Sequence, residues 1–435
     1  MSNPAQSVNA WIFVGEDEPQ GTNYKSSNSC YQSLITYGVY NSVDMLIICS
    51  VNTISVGSPP IYTIDLGTNS HPNNYTNQDY MKWVMRDARA ANPNIKILIE
   101  LACGGNEFTQ IFSTDDNTKW PAEAAAYAEN VVKYLQHYNL DGFDIDWEPS
   151  LSSTPKDQMS AVLTALRNAF NTTTKRYLLS LSPSTSENLD PTVVNQTVDF
   201  INVQVYGGAS AGEFTGIGIS KSLLGYGARF EICHQDAQNA YQGYVQGGYN
   251  FLTNWRLNSN NFQFEQAQQI ILYQLAKGIP GTSFDDTPIV GAAGNPPISQ
   301  MVVYAGDVLN AIQATNLSPS GCEGSKAIYT LPQHGDTSGN QNPVQIPHGD
   351  TVVQVSGYTG VWFGWTCVLQ ITITTSGGKV FGPFGSMNNA SSKTPFTYQA
   401  PSGQSILAFK GTIENVPLAQ GGMTNIIASL DVSFG

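Results

Sequence analysis

The chain is short of positive charge: 19 Lys and Arg stand against 33 Asp and Glu, a formal net charge of −14. Without a basic patch there is little to hold a nucleic-acid backbone or an anionic membrane, so both partner classes are disfavoured. A neutral polysaccharide suits this balance better. No run of 18 or more apolar residues occurs, so no membrane-spanning helix is expected. Six cysteines, at 30, 49, 103, 233, 322 and 367, never fall in a CxxC spacing. Zinc and thioredoxin-type readings therefore get little support, and Cys49 and Cys103, set in apolar runs, read as core residues. The opening "MSNPAQSVNAWIFVGEDE" lacks the basic flank and long apolar stretch of a secretory leader. The expectation is action outside the cell by a non-classical route, or otherwise in the cytoplasm. Without a leader, Asn-x-Ser/Thr sequons such as those at Asn74, Asn171, Asn195 and Asn389 read as incidental.

What is present points to a globular protein with a large core, 41% of the chain being hydrophobic and 11% aromatic. At 435 residues, two domains are expected. Short apolar runs fall at 10–15, 43–51, 96–102, 142–148, 177–184, 200–208, 223–231 and 250–257. Helical segments lie between them, such as 121–138, with Pro121 at its opening, and 157–171; a further one over 264–278 ends on Gly278. Eight such alternations predict an α/β fold, a (β/α)8 TIM barrel over residues 1–280. A doubly wound sheet is the competitor, weakened because no GxGxxG loop follows the first strand. Beyond Gly278, "GIPGTSFDDTPIVGAAGNPP" reads as a linker, and only short β-type runs follow. Residues 281–435 are therefore expected to form a separate all-β domain.

The stretch "LDGFDIDWEPS" holds Asp141, Asp144, Asp146 and Glu148 with no base among them. In a strand, side chains alternate, so Asp144, Asp146 and Glu148 share one face and Phe143, Ile145 and Trp147 the other. A helix would not gather all three acids. In a barrel, functional side chains sit at the C-terminal strand ends, where Glu148 falls. Like charges and burial raise a carboxyl pKa, so one member is expected to stay protonated near neutrality and serve as general acid. An inner aspartate pair sharing a proton would lie behind it. A divalent-metal site and a solvated acidic loop are the other readings. The EF-hand pattern is absent, and catalysis is favoured over both. No metal and no cofactor is expected.

These residues resemble the DGxDxDxE signature of glycoside hydrolase family 18, the chitinases and endo-β-N-acetylglucosaminidases, matched by "DGFDIDWE" from Asp141 to Glu148. That family is substrate-assisted: the N-acetyl oxygen of the sugar attacks its own anomeric carbon. The resemblance implies that Glu148 protonates the leaving oxygen and that Asp146 orients the acetamido group. It also implies that Asp144 holds a proton shared with Asp146. "LACGG" (101–105) is similar to the family's SxGG segment, with Ala102 where serine is usual and Gly104 and Gly105 on the substrate side. "QVYGG" (204–208) resembles the sixth-strand motif, which implies that Tyr206 bonds the acetamido carbonyl and Gln204 lines the same subsite. Gly207 departs from that motif and removes one polar contact to sugar. "NFLTNWRL" resembles the eighth strand, with Trp255 as the floor under the distorted sugar; Asp141 joins the substrate-binding set on the same resemblance. Only about 20 residues, Ile232 to Tyr249, separate the seventh and eighth strands. They leave no room for the α+β insertion of tunnel-forming members, so an open groove and endo-type cleavage are expected.

The C-terminal part resembles a jacalin-related lectin, a β-prism of three four-stranded sheets. The resemblance is carried by 307–316, 351–360, 369–386 and 405–414, most distinctively by "TITTSGGKVFGPFG". It implies a sugar site made from a glycine-rich first loop, with Gly291, and a final loop of Gly421, Met423, Thr424 and Asn425. Asn425 stands where aspartate is usual, so charge-assisted bonding to sugar is lost there.

The leading expectation is thus a glycosidase acting on chitin or another N-acetylglucosamine-containing glycan, with a second glycan held by the lectin domain. The chitobiose core of N-glycans is the rival substrate. A catalytically silent lectin is disfavoured because Glu148 is retained. A component of a toxin or delivery complex is compatible with the sequence and not required by it.

Overall fold

The structure is a computed structural model. It describes residues 5–15, 18–19, 21–67, 70–105, 107–113, 115–152, 154–231, 235–259, 261–277, 283–318, 326–417 and 423–435. Two compact units emerge, Met1–Glu265 and Gln266–Gly435.

The first unit is built on eight parallel strands: β1 (Ser7–Phe13), β2 (Met45–Val56), β3 (Lys96–Gly105), β4 (Gly142–Ser152), β5 (Leu178–Pro183), β6 (Phe200–Val203), β7 (Leu224–Arg229) and β8 (Phe251–Trp255). Each pairs with its neighbours in chain order, and β1 pairs with both β2 and β8, so the sheet closes into a barrel. This is the expected (β/α)8 architecture. Helices follow the strands: α1 (Cys30–Thr36), α2 (Asn77–Ala91), α3 (Trp120–His137), α4 (Lys156–Asn171), α5 (Pro191–Thr197), α6 (Ala211–Gly216), α7 (Ala237–Gly247) and α8 (Phe262–Lys277). The division between the units falls inside α8.

Local chemistry explains the helix starts. Thr76 and Asp79 cap α2 reciprocally, satisfying two otherwise orphaned N–H groups. Pro121 occupies the opening turn of α3, where its missing N–H has no cost. Ala124, Tyr127, Ala128, Val131 and Leu135 bury one stripe of that helix at helical spacing. One feature was not anticipated. Strand β2 runs past the barrel rim and folds back as a hairpin, Asn52–Val56 pairing antiparallel with Ile61–Asp65.

The outward face of β4 carries Phe143, Ile145 and Trp147, all fully buried. Strand alternation turns its acids inward, as the sequence predicts. The barrel interior has an apolar floor that includes Ile47, Leu98 and Phe200, with Leu178 and Phe251 packed against it. Polar residues stand above it.

Beyond the end of α8, the described residues of the second unit are all β except α9 (Thr287–Ala292). Its strands are β9 (Ser283–Asp285), β10 (Ile298–Ala305), β11 (Leu309–Ser318), β12 (Ala327–Thr330), β13 (Asn340–Gln345), β14 (Val352–Trp362), β15 (Trp365–Thr375), β16 (Val380–Gly385), β17 (Ala390–Gln399), β18 (Ile406–Pro417) and β19 (Met423–Phe434). They form three sheets, ordered β9-β18-β19, β12-β11-β10-β13 and β16-β15-β14-β17. The described sheets hold three, five and four strands rather than four each, because the short segment His334–Gly335 adds a fifth to the second. The stretch read as a linker is also corrected. Phe284 and its neighbours pair with β18, so residues 283–292 are a strand and a helix of this unit.

Candidate active site

Parallel register stacks the key side chains in layers. Glu100 on β3, Asp144 on β4 and Ser180 on β5 are cross-strand partners, and one step higher Ala102, Asp146 and Ser182 are partners. The close approach this requires explains the glycine of the acidic motif. A Cβ on Gly142 would lie 2.4 Å from the Leu178 carbonyl oxygen, so no other residue fits without moving β5.

Asp144 is wholly buried and accepts hydrogen bonds from the hydroxyls of Ser180 and Ser182, the latter at 2.7 Å. Burial raises its pKa to about 6, against the pull of Ser180, Ser182 and a bond from Glu100. Asp146 faces the other way. Gln204, at the end of β6, donates its Nε2 hydrogens to Asp146 Oδ1 at 3.0 Å, to Glu148 Oε1 at 3.2 Å and to the Ser182 carbonyl at 3.0 Å. Burial first, then the charges of Glu148 and Asp144, push the Asp146 carboxyl well above the usual range. Among the described residues, the partners of Asp144 are thus Ser180, Ser182 and Glu100, while Asp146 is held toward Glu148. A proton shared between Asp144 and Asp146 is not the arrangement seen.

Aromatic walls complete the site. Tyr206 lies in the turn after β6, its ring centroid 6.2 Å from that of Trp255, which ends β8. Trp255 packs in turn on Trp11 at 5.5 Å and Phe13 at 5.6 Å. Burial, then the charges of Asp146, Glu100 and Glu148, keep the Tyr206 phenol neutral and available as a donor. Gly104 and Gly105 end β3 on the same rim as Glu148. Two adjoining carboxyl groups, the amide that bridges them and an aromatic pair therefore meet at the C-terminal mouth of the barrel.

Asp141 does not join them. It precedes β4 at the opposite end of the barrel, seven residues and roughly 23 Å of strand from Glu148. There it pairs with Lys175 at 2.9 Å and Arg89 at 3.4 Å and accepts from the Ile97 amide at 2.9 Å. Burial would raise its pKa, but Lys175, the amide and Arg89 together hold it below the ordinary value. Its role is structural, a correction to the substrate-binding expectation.

Sequence reasoning missed several residues. Glu100, Ser180, Ser182 and Asn202 line the polar interior, and the alternation in "LLSLSP" and the lone acid in "KILIELA" were the available signals. Arg229 ends β7 with its guanidinium 5.9 Å from the Tyr206 ring, held by Glu231, which also binds Arg256 at 2.6 Å. No spacing rule marks that trio.

In the second unit, Gly291 is buried within α9 instead of opening a loop, which corrects its assignment to a sugar-binding first loop. Gly421 lies outside the described residues. Met423 is exposed, Thr424 is buried with its hydroxyl 2.9 Å from that of Ser338, and Asn425 accepts from Asn415 at 2.7 Å. The Thr424 hydroxyl is therefore engaged within the protein.

Comparison with known proteins agrees with this geometry. Residues 276–418 match the family model of the jacalin-like lectin domain. Chitinase A1 of Niallia circulans is 29% identical over 27% of this chain and 19% of its own length. Chitinase 1 of Aphanocladium album is 23% identical over 42% of this chain and 43% of its own. The chain thus spans less than half the length of either relative. The GH18 chitinase ChiB of Flavobacterium johnsoniae aligns with 63% of this chain and 94% of its own, at 16% identity and a TM-score of 0.44. Residues 17–250, more than half of the sequence, match the model of glycosyl hydrolases family 18, and the chain belongs to that family.

Proposed function

We propose that this protein is an endo-acting hydrolase of β-1,4-linked N-acetylglucosamine polymers, working by substrate-assisted retaining catalysis, with a carbohydrate-binding second unit. The observation that carries the reading is the joint hold of Gln204 on Asp146 and Glu148, beneath Tyr206 and Trp255. In this reading, Glu148 gives its proton to the leaving glycosidic oxygen while the N-acetyl oxygen forms a bond to the anomeric carbon. The C–O bond to the leaving sugar breaks, and an oxazolinium ion results. Asp146 orients the acetamido group and offsets its developing positive charge. Tyr206 donates to the acetamido oxygen, and Trp255 supports the distorted ring. Water then attacks the anomeric carbon, the bond from that carbon to the N-acetyl oxygen breaks to restore the acetamide, Glu148 takes the water's proton, and the configuration is retained.

Endo-type action is supported by the short β7–β8 connection, whose described part is filled by the 11-residue α7. The second unit would raise the local concentration of enzyme on a glycan-bearing surface. The test is hydrolysis of N-acetylglucosamine tetramer to hexamer, read by mass spectrometry, beside Glu148→Gln. Cleavage by the parent alone supports the reading. Cleavage of a high-mannose glycoprotein but no oligomer would move the substrate to the N-glycan core. Disaccharide dominating from the first turnover on insoluble polymer would contradict endo-type action.

A further inference from the structure

Glu100 is a buried carboxyl that this mechanism leaves without a task. It is 2% exposed, inside the barrel directly beside Asp144. From β1, Trp11 Nε1 donates to its Oε2 at 2.5 Å. On the β4 side it bonds Asp144. The chain of bonds continues across the interior: Ser182 accepts from Asn202 Nδ2 at 3.2 Å, and Asn202 Oδ1 accepts from Thr253 at 2.5 Å. Six of the eight strands thus contribute to one buried polar network, from β1 to β8.

The donor count assigns the protons. Two carboxylates cannot bond each other unless one is protonated, since an ionised carboxylate only accepts. Asp144 already receives two hydroxyls, so it is the acceptor and Glu100 the donor. Burial, then the neighbouring Asp146 and Asp144, favour a neutral Glu100. The other titratable groups facing it are the Cys49 thiol, which burial keeps protonated, and the phenol of Tyr206. Ala102 adds a second observation. It is the register partner of Asp146 and brings no polar side chain to that layer. Glu100 lies two residues earlier on the same face and supplies the missing donor from below.

We propose that Glu100 is a positioning residue of the active site, donating its carboxyl proton to Asp144 so that Asp146 is left facing Gln204 and Glu148. The proposal rests on the hydrolase reading above. If Asp144 lacked this donor, it would recruit the proton of Asp146 and draw that side chain inward, away from the substrate.

The experiment compares Glu100→Leu, Glu100→Gln and the double variant Glu100→Leu/Ala102→Ser in the full chain, with pH profiles of kcat and kcat/KM on the hexamer. Glu100→Leu is expected to lower kcat about 10²-fold, with little change in KM and a displaced acidic limb of the profile. Glutamine retains both a donor for Asp144 and an acceptor for Trp11, and is expected to recover most of that loss; the added serine recovers part of it. A folded Glu100→Leu with the parent's kcat and pH profile would overturn the proposal. So would a glutamine variant as impaired as the leucine one, a result that stands even if Glu100→Leu fails to fold. A parent that cleaves no substrate removes the hydrolase reading instead. The protonation claim is then decided without substrate by infrared difference spectra of parent and Glu100→Gln. A buried carboxylic-acid band at pH 7, lost in the variant, upholds it, and no such band overturns it.

Discussion

Gln204 and Glu148, 56 residues apart in the sequence, are joined by an N–H···O bond of 3.2 Å. The same amide nitrogen reaches Asp146, so one neutral side chain aligns both acids. Hydrogen bonds to charged groups contribute about 1.5–3 kcal/mol. Gln204→Leu is therefore expected to lower kcat/KM by roughly 10- to 150-fold, measured on chitooligosaccharides. Gln204→Glu, which adds a like charge between two acids, should be worse than leucine. Equal activity of both variants and the parent would show that the amide does not align the acids.

Asp144 links the site to pH-dependent stability. Its pKa is raised from the ordinary 3.8 to about 6, so the folded state binds this proton more tightly than the unfolded chain. The resulting stabilisation is fully present below pH ~4 and is lost as pH rises through ~6. A shift of this size corresponds to a few kcal/mol, on the order of 3. Asp144→Asn has no such proton to lose. Its Tm relative to the parent should rise between pH 4.5 and 7.5, while its activity falls; a constant Tm difference across that range would contradict the assignment.

Asp141 should behave in the opposite way. Its depressed pKa means that its contribution exists above the unfolded value and disappears as pH falls through the folded one. Asp141→Asn is expected to lose about 1–3 kcal/mol at neutral pH, with the deficit shrinking toward pH 3. Because the residue sits far from Glu148, kcat/KM of the folded variant should match the parent. A hundredfold loss of activity without loss of Tm would return Asp141 to the substrate site.

Gly142 tests the strand packing itself. The Leu178 carbonyl fills the space a side chain would need, so Gly142→Ala must push β4 and β5 apart. Overpacking of this kind typically costs about 1–3 kcal/mol. The variant should show a lower Tm and, because Asp144 and Asp146 hang from the same strand, a reduced kcat. An alanine variant with the parent's Tm would mean that the strands yield freely.

Much of this was legible because alternation is a local property. The run Gly142–Glu148 has period two, so its acids had to share a face whichever sheet received it. The eight strand–helix repeats likewise announced the barrel, since each strand and helix is marked by its own residues. Boundaries were less legible: β2 outran its apolar core into the hairpin with Ile61–Asp65, where pairing, not hydrophobicity, sustains the strand. The stretch 283–292 looked like a linker because Gly and Pro crowd it, yet pairing with β18 makes Ser283–Asp285 a strand. Asp141 was grouped with the site on the resemblance of the motif it opens, although a strand carries its two ends far apart.

The sequence by itself determined the acid order Asp144, Asp146, Glu148, the inward face they occupy and the two-part organisation of the chain. These follow from residue type and period, which need no partner strand. Tertiary structure decided which side chains the acids meet. Glu100 lies 44 residues before Asp144 (144 − 100), Gln204 lies 58 residues after Asp146, and only the closed parallel register brings them within bonding distance. Protonation depends on such neighbours and on burial, neither of which is written in any short stretch, so the division of charge among Glu100, Asp144 and Asp146 belongs to the fold.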